Sequence, residues 1–139
     1  MNMTSDLRSG RHCVFKMHVH LVFVTKYRKK IFSKRILKRL FEVFFSVCSD
    51  FEAVLEELDG EEDHVHLLIT YHPKVSISKL VNSLKGVSAR RLRQEFPQIR
   101  KHYWKEQFWS PSYFAGSCGG APLDVIQKYI ENQKSPLKM

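Results

Sequence analysis

CVFKMHVHLVFV, residues 13–24, alternates between two kinds of side chain. The odd positions are apolar throughout, whereas the even positions interleave valine with Lys16, His18 and His20. Because successive side chains of a strand point to opposite faces, this period of two predicts a strand with one apolar face and one mixed face. The mixed face is available for chemistry.

The following segments predict a helix and two further strands. Ser33 stands as the N-cap of a helix in which apolar residues recur at spacings of three and four as far as Cys48. Residues 51–58 predict a second strand, Asp59-Gly60 predicts a turn, and residues 64–71 predict a third strand.

The rest of the chain continues the alternation of helix and strand. An apolar stripe over residues 77–96 predicts a second helix that Pro97 ends. Residues 103–114 predict a loop entering a strand, which Pro111 restricts to a sheet edge or a bulge. Gly116, Gly119 and Gly120 predict a flexible turn. Pro122 then opens a last predicted helix, which runs from Leu123 to about Lys134.

This order of elements is typical of an α+β domain with an antiparallel sheet and helices on one face. We expect residues 1–139 to form one domain, with residues 1–10 as a flexible tail and residues 135–139 as a short C-terminal tail.

The charge balance favours a nucleic-acid partner. Lys and Arg number 23 against 14 Asp and Glu, which gives a formal net charge of +9. Such a chain attracts a polyanion through counterion release, although many basic proteins bind no nucleic acid. Charge alone therefore leaves the partner open.

Cysteine usage and hydropathy indicate the compartment. The three cysteines are Cys13, Cys48 and Cys118, which are far apart and match neither a disulfide framework nor a zinc motif. The N-terminus lacks the apolar stretch of a secretory signal, and no apolar run approaches the roughly 20 residues that span a bilayer. We therefore expect a soluble protein in a reducing cytoplasm.

The most informative motif is the pair His64 and His66 in the third strand. Residues two apart on a strand share a face, so the two imidazoles can hold one divalent ion. An ion that stays open to water can polarise a phosphodiester. The alternative is two ordinary strand histidines. Asp63 is placed to orient one of them.

A second pair with the same spacing, His18 and His20, lies on the mixed face of the first strand. It either joins the site or lines the sheet surface as a decoy. We favour the second interpretation because Lys16 would oppose a bound cation.

Tyr129 and Gln133 stand four residues apart, one helical turn, on the last predicted helix. A phenol beside a metal-bound phosphate can attack phosphorus and conserve the phosphodiester energy in a covalent link. Gln133 can serve as a third, neutral metal ligand. The alternative is that Tyr129 packs at the edge of the apolar face formed with Ile126 and Ile130.

Two sets of cations and a group of aromatic residues suit a DNA partner. Regularly spaced cations match a phosphate backbone, and aromatic rings can stack on unpaired bases. A charge run is more often a solvated face and such aromatic residues more often belong to the core, but the combination favours binding of structured or single-stranded DNA more than either set does alone. The cations expected to contact DNA are Lys26, Arg28, Lys29, Lys30, Lys79, Lys85, Arg90 and Arg93, and the aromatic residues are Tyr103, Trp104, Phe108, Trp109 and Tyr113.

Five ordered blocks resemble one family. They are HLVFVTKYRKK at 20–30, DHVHLLI at 63–69, LVNSLKG at 80–86, FWSPSY at 108–113 and QKYIENQ at 127–133. Together they closely resemble the TnpA family of single-tyrosine HUH transposases, over about residues 13–134.

The resemblance implies a dimeric enzyme on a ferredoxin-like α+β scaffold that cuts and rejoins single-stranded DNA at insertion-sequence ends and recognises subterminal hairpins. It implies that His64, His66 and Gln133 bind Mg²⁺, with Mn²⁺ as a substitute, and that Tyr129 forms a 5′-phosphotyrosine. It also implies that the tyrosine helix can complete the partner's site, with residues 116–120 as its hinge.

Two rival functions remain. One is a non-catalytic protein that binds DNA or RNA hairpins, for which Tyr129 is dispensable. The other is a metal-free phosphoesterase that uses His18 and His20 together with the second pair. Only the transposase reading requires both the tyrosine and a chelatable ion.

Overall fold

The computed structural model describes residues 8–9, 14–15, 17–102, 107–117 and 123–133. A short antiparallel pair, β1 (Arg8–Ser9) and β2 (Val14–Phe15), precedes the main sheet. The main sheet contains β3 (His18–Val24), β4 (Val54–Gly60), β5 (His64–Thr70) and β6 (Phe114–Ser117), which lie side by side in the order β4-β5-β3-β6. Every neighbouring pair in this sheet is antiparallel.

Helices connect the strands of the main sheet. Helix α1 (Lys34–Asp50) joins β3 to β4, α2 (Ile77–Glu95) and α3 (Pro97–His102) join β5 to β6, and α4 (Leu123–Glu131) follows β6. This β-α-β-β-α-β order is ferredoxin-like and confirms the predicted α+β class. In the described part of the chain, no helix has both the length and the hydropathy needed to cross a bilayer.

Serine caps begin the two long helices. The Ser33 hydroxyl accepts a hydrogen bond from the Ile36 N–H at 3.2 Å, as predicted, and the Ser76 hydroxyl accepts one from the Lys79 N–H at 3.3 Å. Each cap satisfies one of the backbone donors that the first turn of a helix leaves without a partner.

The main core lies between the sheet and the helices α1 and α2. The strand residues that face it are Val19, Leu21, Phe23, Leu55, Val65, Leu67 and Ile69. Phe23 packs edge-on against Phe44 and Trp109, with ring centroids 5.9 and 5.6 Å apart. Cys48 is buried in this core, and burial raises the pKa of its thiol to about 12, so it behaves as an apolar residue.

Helix α4 packs on the opposite face of the sheet. Val22 and Val24 of β3 form a second buried cluster with Ile126 and Ile130, and Phe114 and Tyr129 pack partly buried against it. The predicted helices on one face are thus α1 and α2, and the predicted C-terminal helix, α4, lies on the other face.

The second predicted strand is displaced along the chain. Phe51 is the C-cap of α1 and Glu52 has a left-handed φ of 59°, so β4 begins only at Val54. Asp59-Gly60, predicted as a turn, pairs with β5, and the connection to β5 is formed by residues 61–63 instead. Gly60 serves close packing, since a Cβ there would lie 2.8 Å from Leu37 Cδ2.

Other boundaries also differ from the predictions. The strand predicted over residues 13–24 divides into β2 and β3, and Arg8 and Ser9 pair with β2 although the tail was expected to include them. Pro97 opens α3 rather than a loop. Gly116 lies within β6, which is an edge strand as Pro111 predicted; Gly119, Gly120 and Lys134 lie outside the described residues.

Two glycine substitutions provide a matched test of this packing. Gly60→Ala should lower the free energy of unfolding by about 1–3 kcal/mol, because the added methyl group meets Leu37, Val65 and the His64 carbonyl. Gly86→Ala should raise it by about 0.5–1 kcal/mol, since Gly86 is inside α2 and its Cβ would meet open space. Denaturant titration of both variants measures the two changes, and equal effects would contradict the packing described for Gly60.

Candidate functional site

His64 and His66 lie next to one another on the face of β5 that is turned away from the main core. Antiparallel pairing sets His64 opposite Val24 and His66 opposite Val22, the valines that pack under α4. The two imidazole centroids are 5.1 Å apart. His64 is buried and His66 is half-buried, and the two side chains share a face as predicted.

A carboxylate and a guanidinium orient His64. Its Nδ1–H donates to Asp63 Oδ1 at 2.8 Å, and Arg28 Nε donates to Asp63 Oδ2 at 3.2 Å. The hydrogen bond from His64, with a smaller contribution from Arg28, lowers the pKa of the Asp63 carboxyl. Asp63 therefore stays ionised, and Nε2 of His64 is left as the metal-binding nitrogen.

The turn that carries Arg28 is itself anchored to Asp63. Tyr27 and Arg28 both adopt left-handed backbone conformations, with φ of 61° and 56°. The buried Thr25 hydroxyl bridges the turn by donating to the carbonyls of Lys29 and Asp63, at 2.8 and 3.2 Å. These hydrogen bonds offset part of the free-energy cost of the left-handed backbone at Tyr27 and Arg28.

His66 has a histidine as its own partner. His66 Nδ1 lies 3.2 Å from His20 Nε2, and the rings stack with centroids 5.4 Å apart. Burial, followed by the nearby His64 and His20, lowers the pKa of His66, which favours the neutral, metal-binding imidazole. His20, which we expected to be a decoy, therefore contacts the pair directly, whereas His18 bonds to Thr70 at 3.0 Å.

The donor set fits a divalent ion held by two imidazoles. In the tautomer in which Nδ1 of each ring carries the proton and donates to its partner, both Nε2 atoms are left to coordinate. Within the described ranges, no group of three or more His, Cys, Asp or Glu side chains is arranged to hold a metal.

Tyr129 lies on the same face of the sheet as the histidine pair. It packs against the cluster that Val22 and Val24 form with Ile126 and Ile130, and its ring centroid is 6.1 Å from that of Phe114 in β6. Gln133 lies two residues beyond the end of α4, yet its Nε2 donates to the Tyr129 carbonyl at 3.1 Å. The two side chains are neighbours as expected, but they are not on one helix.

Two serines hold Tyr129 and Gln133. Ser112 shares a 2.8 Å hydrogen bond with the Tyr129 hydroxyl, and Ser110 donates to Gln133 Oε1 at 2.6 Å. Among the described residues, neither functional group bonds to an imidazole. Burial raises the pKa of Tyr129, with Ser112 partly opposing it, so the phenol is protonated at neutral pH. Such a phenol needs activation to act as a nucleophile.

The predicted DNA-contacting cations divide into exposed and enclosed groups. Lys30, Lys79 and Arg90 are exposed, while Lys26 and Lys29 lie near the Tyr27 ring. Lys26 and Tyr27 line a cavity of about 390 Å³ together with Ser110, Ser112 and Gln133. Arg28 is engaged with Asp63.

Lys85 and Arg93 are less exposed than Lys30, Lys79 and Arg90. Lys85 is half-buried, and its Nζ donates to the carbonyls of Ser110 and Ser112 at 2.7 and 2.8 Å. Burial lowers its pKa to about 8. Arg93 is also half-buried, and with Arg90 it lines a groove of about 580 Å³ between α2 and residues 107–111.

The aromatic residues proposed to stack on bases are largely core residues. Phe108 and Trp109 are buried, Trp109 donates to Ser88 at 3.0 Å, and the half-buried Tyr113 packs against the core. Tyr103 and Trp104 lie outside the described residues. Ser110 and Ser112 belong to the FWSPSY block, but neither period nor spacing along the chain predicts a separate role for either serine.

Comparison with known proteins identifies the class to which this geometry belongs. The model of the family "Transposase IS200 like" matches residues 13–133. The chain belongs to the IS200-like transposase family and is a transposase of the HUH endonuclease type.

Individual relatives agree with this assignment. The chain is 30% identical to the ISDra2 transposase TnpA of Deinococcus radiodurans, over 92% of this chain and 91% of the relative. It is 28% identical to the transposase for insertion sequence element IS200 of Salmonella typhimurium, over 96% of this chain and 88% of that protein.

Solved structures share the fold. A crystal structure of a putative transposase from Deinococcus radiodurans R1 has a TM-score of 0.81 at 32% identity, covering 92% of this chain and 98% of that one. A REP-associated tyrosine transposase bound to a REP hairpin has a TM-score of 0.55 at 9% identity, covering 91% and 69%. The second likeness concerns the fold alone.

The contact between Asp63 and His64 yields a direct prediction. Asp63→Asn removes the carboxylate that accepts the hydrogen bond from His64 Nδ1–H and orients its ring, so the affinity for Mn²⁺ should fall about 10- to 100-fold while the fold is retained. Calorimetric titration with Mn²⁺ measures it. Glu62→Gln, an exposed neighbour that loses the same charge, is the control and should bind Mn²⁺ as the wild type does. Unchanged affinity in Asp63→Asn would contradict the orienting role.

Proposed function

We propose that this transposase cleaves and rejoins single-stranded DNA at insertion-sequence ends, with Tyr129 as the nucleophile and with His64, His66 and Gln133 as metal ligands. The observation that supports this most is that the histidine pair and Tyr129 lie on one face of the sheet: the histidines pair with Val22 and Val24, and Tyr129 packs against the buried cluster that contains these valines. A phosphate and an ion must fit between the hydroxyl and the imidazoles in such a reaction, so their lack of direct contact agrees with the proposal.

The proposed ion is Mg²⁺, with Mn²⁺ as a substitute. His64 and His66 would hold it through Nε2, and Gln133 would add its amide oxygen after exchanging the hydrogen bond from Ser110. When bound, the ion would polarise a nonbridging oxygen of the phosphodiester and favour charge development there. Asp63 and His20 keep the two imidazoles oriented toward it.

The proposed chemical step conserves the phosphodiester energy. The Tyr129 oxygen attacks phosphorus, the bond between phosphorus and the 3′ oxygen breaks, and the 5′-phosphate remains on tyrosine. The phenol proton passes to water, and the departing 3′ oxygen takes up a proton to become a 3′-OH. A 3′-OH from another end can then attack the phosphotyrosine, which releases Tyr129 and joins the strands.

The proposed substrate is single-stranded DNA that carries subterminal hairpins. The exposed cations Lys30, Lys79 and Arg90, and the groove that contains Arg93, support a contact with phosphates. The structural neighbour bound to a REP hairpin agrees with this class of partner. A DNA substrate also implies a cytoplasmic location.

The protein is further proposed to act as a homodimer in which the tyrosine helix can complete the partner's site. Helix α4 is joined to the sheet through β6, and the residues between them, 118–122, lie outside the described ranges. The proposed hinge includes these residues, and Gly116 itself pairs with His20 in the sheet. An exchange of helices would therefore pivot after β6.

A covalent-trapping experiment tests the chemistry. The wild type, with Mg²⁺ and a labelled single strand carrying the element's own end hairpin, should yield a protein-DNA band on a denaturing gel. Tyr129→Phe should lose the band at least about 100-fold because it removes the attacking oxygen, and EDTA should abolish the band. Tyr71→Phe is the matched control, since Tyr71 packs against the main core and lies away from α4.

Two outcomes would overturn the proposal. Undiminished binding without any covalent band would favour the non-catalytic hairpin binder. Cleavage that survives both EDTA and Tyr129→Phe would favour the metal-free histidine phosphoesterase.

A further inference from the structure

The ammonium group of Lys85 is enclosed on several sides. It donates to two carbonyl oxygens, those of Ser110 and Ser112, and lies 5.5 Å from the centroid of the Phe23 ring and 5.7 Å from that of Tyr113. This lysine therefore does not present its charge to solvent as Lys79, on the same helix, does. These contacts within the protein indicate a structural role for Lys85 rather than a direct contact with DNA.

The two residues that Lys85 holds by their backbone also hold the proposed catalytic groups by their side chains. Ser112 bonds to the Tyr129 hydroxyl and Ser110 bonds to Gln133 Oε1, at 2.8 and 2.6 Å. A continuous set of hydrogen bonds thus runs from α2, through residues 110–112, to the end of α4. Apart from packing, this set fixes where the phenol and the amide point.

The backbone of residues 110–112 depends on this lysine for a physical reason. Residues 110–112 lie between Trp109, which pairs with Thr25, and the start of β6, and the Ser110 N–H donates to the Val24 carbonyl at 2.7 Å. Within the described ranges, the carbonyls of Ser110 and Ser112 accept from Lys85 Nζ rather than from a backbone N–H of β3. A charged donor forms stronger hydrogen bonds to carbonyls than a neutral one does. Burial of the ammonium opposes its charged form, and a methionine here would avoid that cost. The hydrogen bonds to the two carbonyls are the contribution that lysine makes at this position and methionine cannot make.

We propose that Lys85 is a positioning residue whose two hydrogen bonds, to the carbonyls of Ser110 and Ser112, set where the serine hydroxyls hold Tyr129 and Gln133. The catalytic consequence rests on the proposed function, whereas the structural consequence does not. Without Lys85, residues 110–112 lose their shared donor, and the Tyr129 hydroxyl is restrained mainly by the packing of α4.

A chemical-modification experiment reads the structural consequence without any DNA. Nitration by tetranitromethane, mapped by peptide mass spectrometry, reports the accessibility of each tyrosine, with Tyr71 as the internal standard. Lys85→Met should raise the rate at Tyr129 at least threefold relative to Tyr71, since the half-buried phenol loses its fixed partner. Lys74→Met, which removes an exposed charge paired with Glu52, should leave the rate unchanged.

A second variant keeps the test valid if Lys85→Met is poorly folded. Ser112→Ala, at an exposed position, removes the hydroxyl that contacts Tyr129 and should give the same rise in nitration. Because both changes act through the contact between Ser112 and Tyr129, the nitration rate of Tyr129 in the double variant should exceed that in either single variant by no more than about 1.5-fold. An unchanged rate at Tyr129 in a folded Lys85→Met protein, or in Ser112→Ala, would overturn the proposal, and so would fully additive effects.

A DNA experiment separates positioning from binding. Lys85→Met should keep the affinity for the uncut hairpin oligonucleotide within about twofold and lose about 10- to 100-fold in the rate of covalent adduct formation at saturating DNA. Lys79→Met, which removes an exposed cation, should instead weaken affinity. A matching loss of affinity in Lys85→Met with a normal saturated rate would identify a direct DNA contact and overturn the proposal. If the wild type forms no adduct, the proposed function fails, and the nitration rates still decide the role of Lys85.

Discussion

The antiparallel pairing of β3 with β5 is the constraint on which the rest of the molecule depends. Seven residue pairs, from His18 with Thr70 to Val24 with His64, fix the register between the two central strands. Since the side-chain period of a strand is two, a slip of one residue would turn the histidines into the main core and the core residues to the other face. The apolar residues of both strands therefore determine where the histidines point.

The second face of the sheet combines packing with chemistry in a small area. Val22 and Val24 bury Ile126 and Ile130, and their neighbours across β5 are His66 and His64. The valines thus hold the tyrosine helix beside the imidazoles by apolar contact, which does not compete for the nitrogen atoms. The imidazoles are in turn fixed by Asp63 and His20 rather than by the helix. The contacts that fix the histidine pair are therefore separate from those that hold α4 on the sheet.

Period and motif were sufficient to predict the parts of the molecule that repeat or alternate. The α+β class, the serine cap of α1 and the shared face of His64 and His66 all follow from spacing along the chain. The displaced start of β4 did not, because it depends on the left-handed backbone of Glu52, and nothing in the local sequence requires that conformation. Asp59-Gly60 misled for a related reason, since Gly60 is needed there for its contact with Leu37 and not for a turn.

The site itself could be predicted only where its members lie on regular elements. Lys85 appears in the sequence as one more cation on a basic helix, and its enclosure depends on residues 25 positions away or further. Ser110 and Ser112 likewise acquire a role only when residues 110–112, α2 and the end of α4 meet. Irregular backbone leaves polar groups without ladder partners, and in this transposase Lys85 bonds to two such carbonyls, while the hydroxyls of the same two serines bond to the Gln133 amide and the Tyr129 phenol. The same contacts that complete the hydrogen bonding of the loop therefore orient the residue on which the proposed chemistry depends.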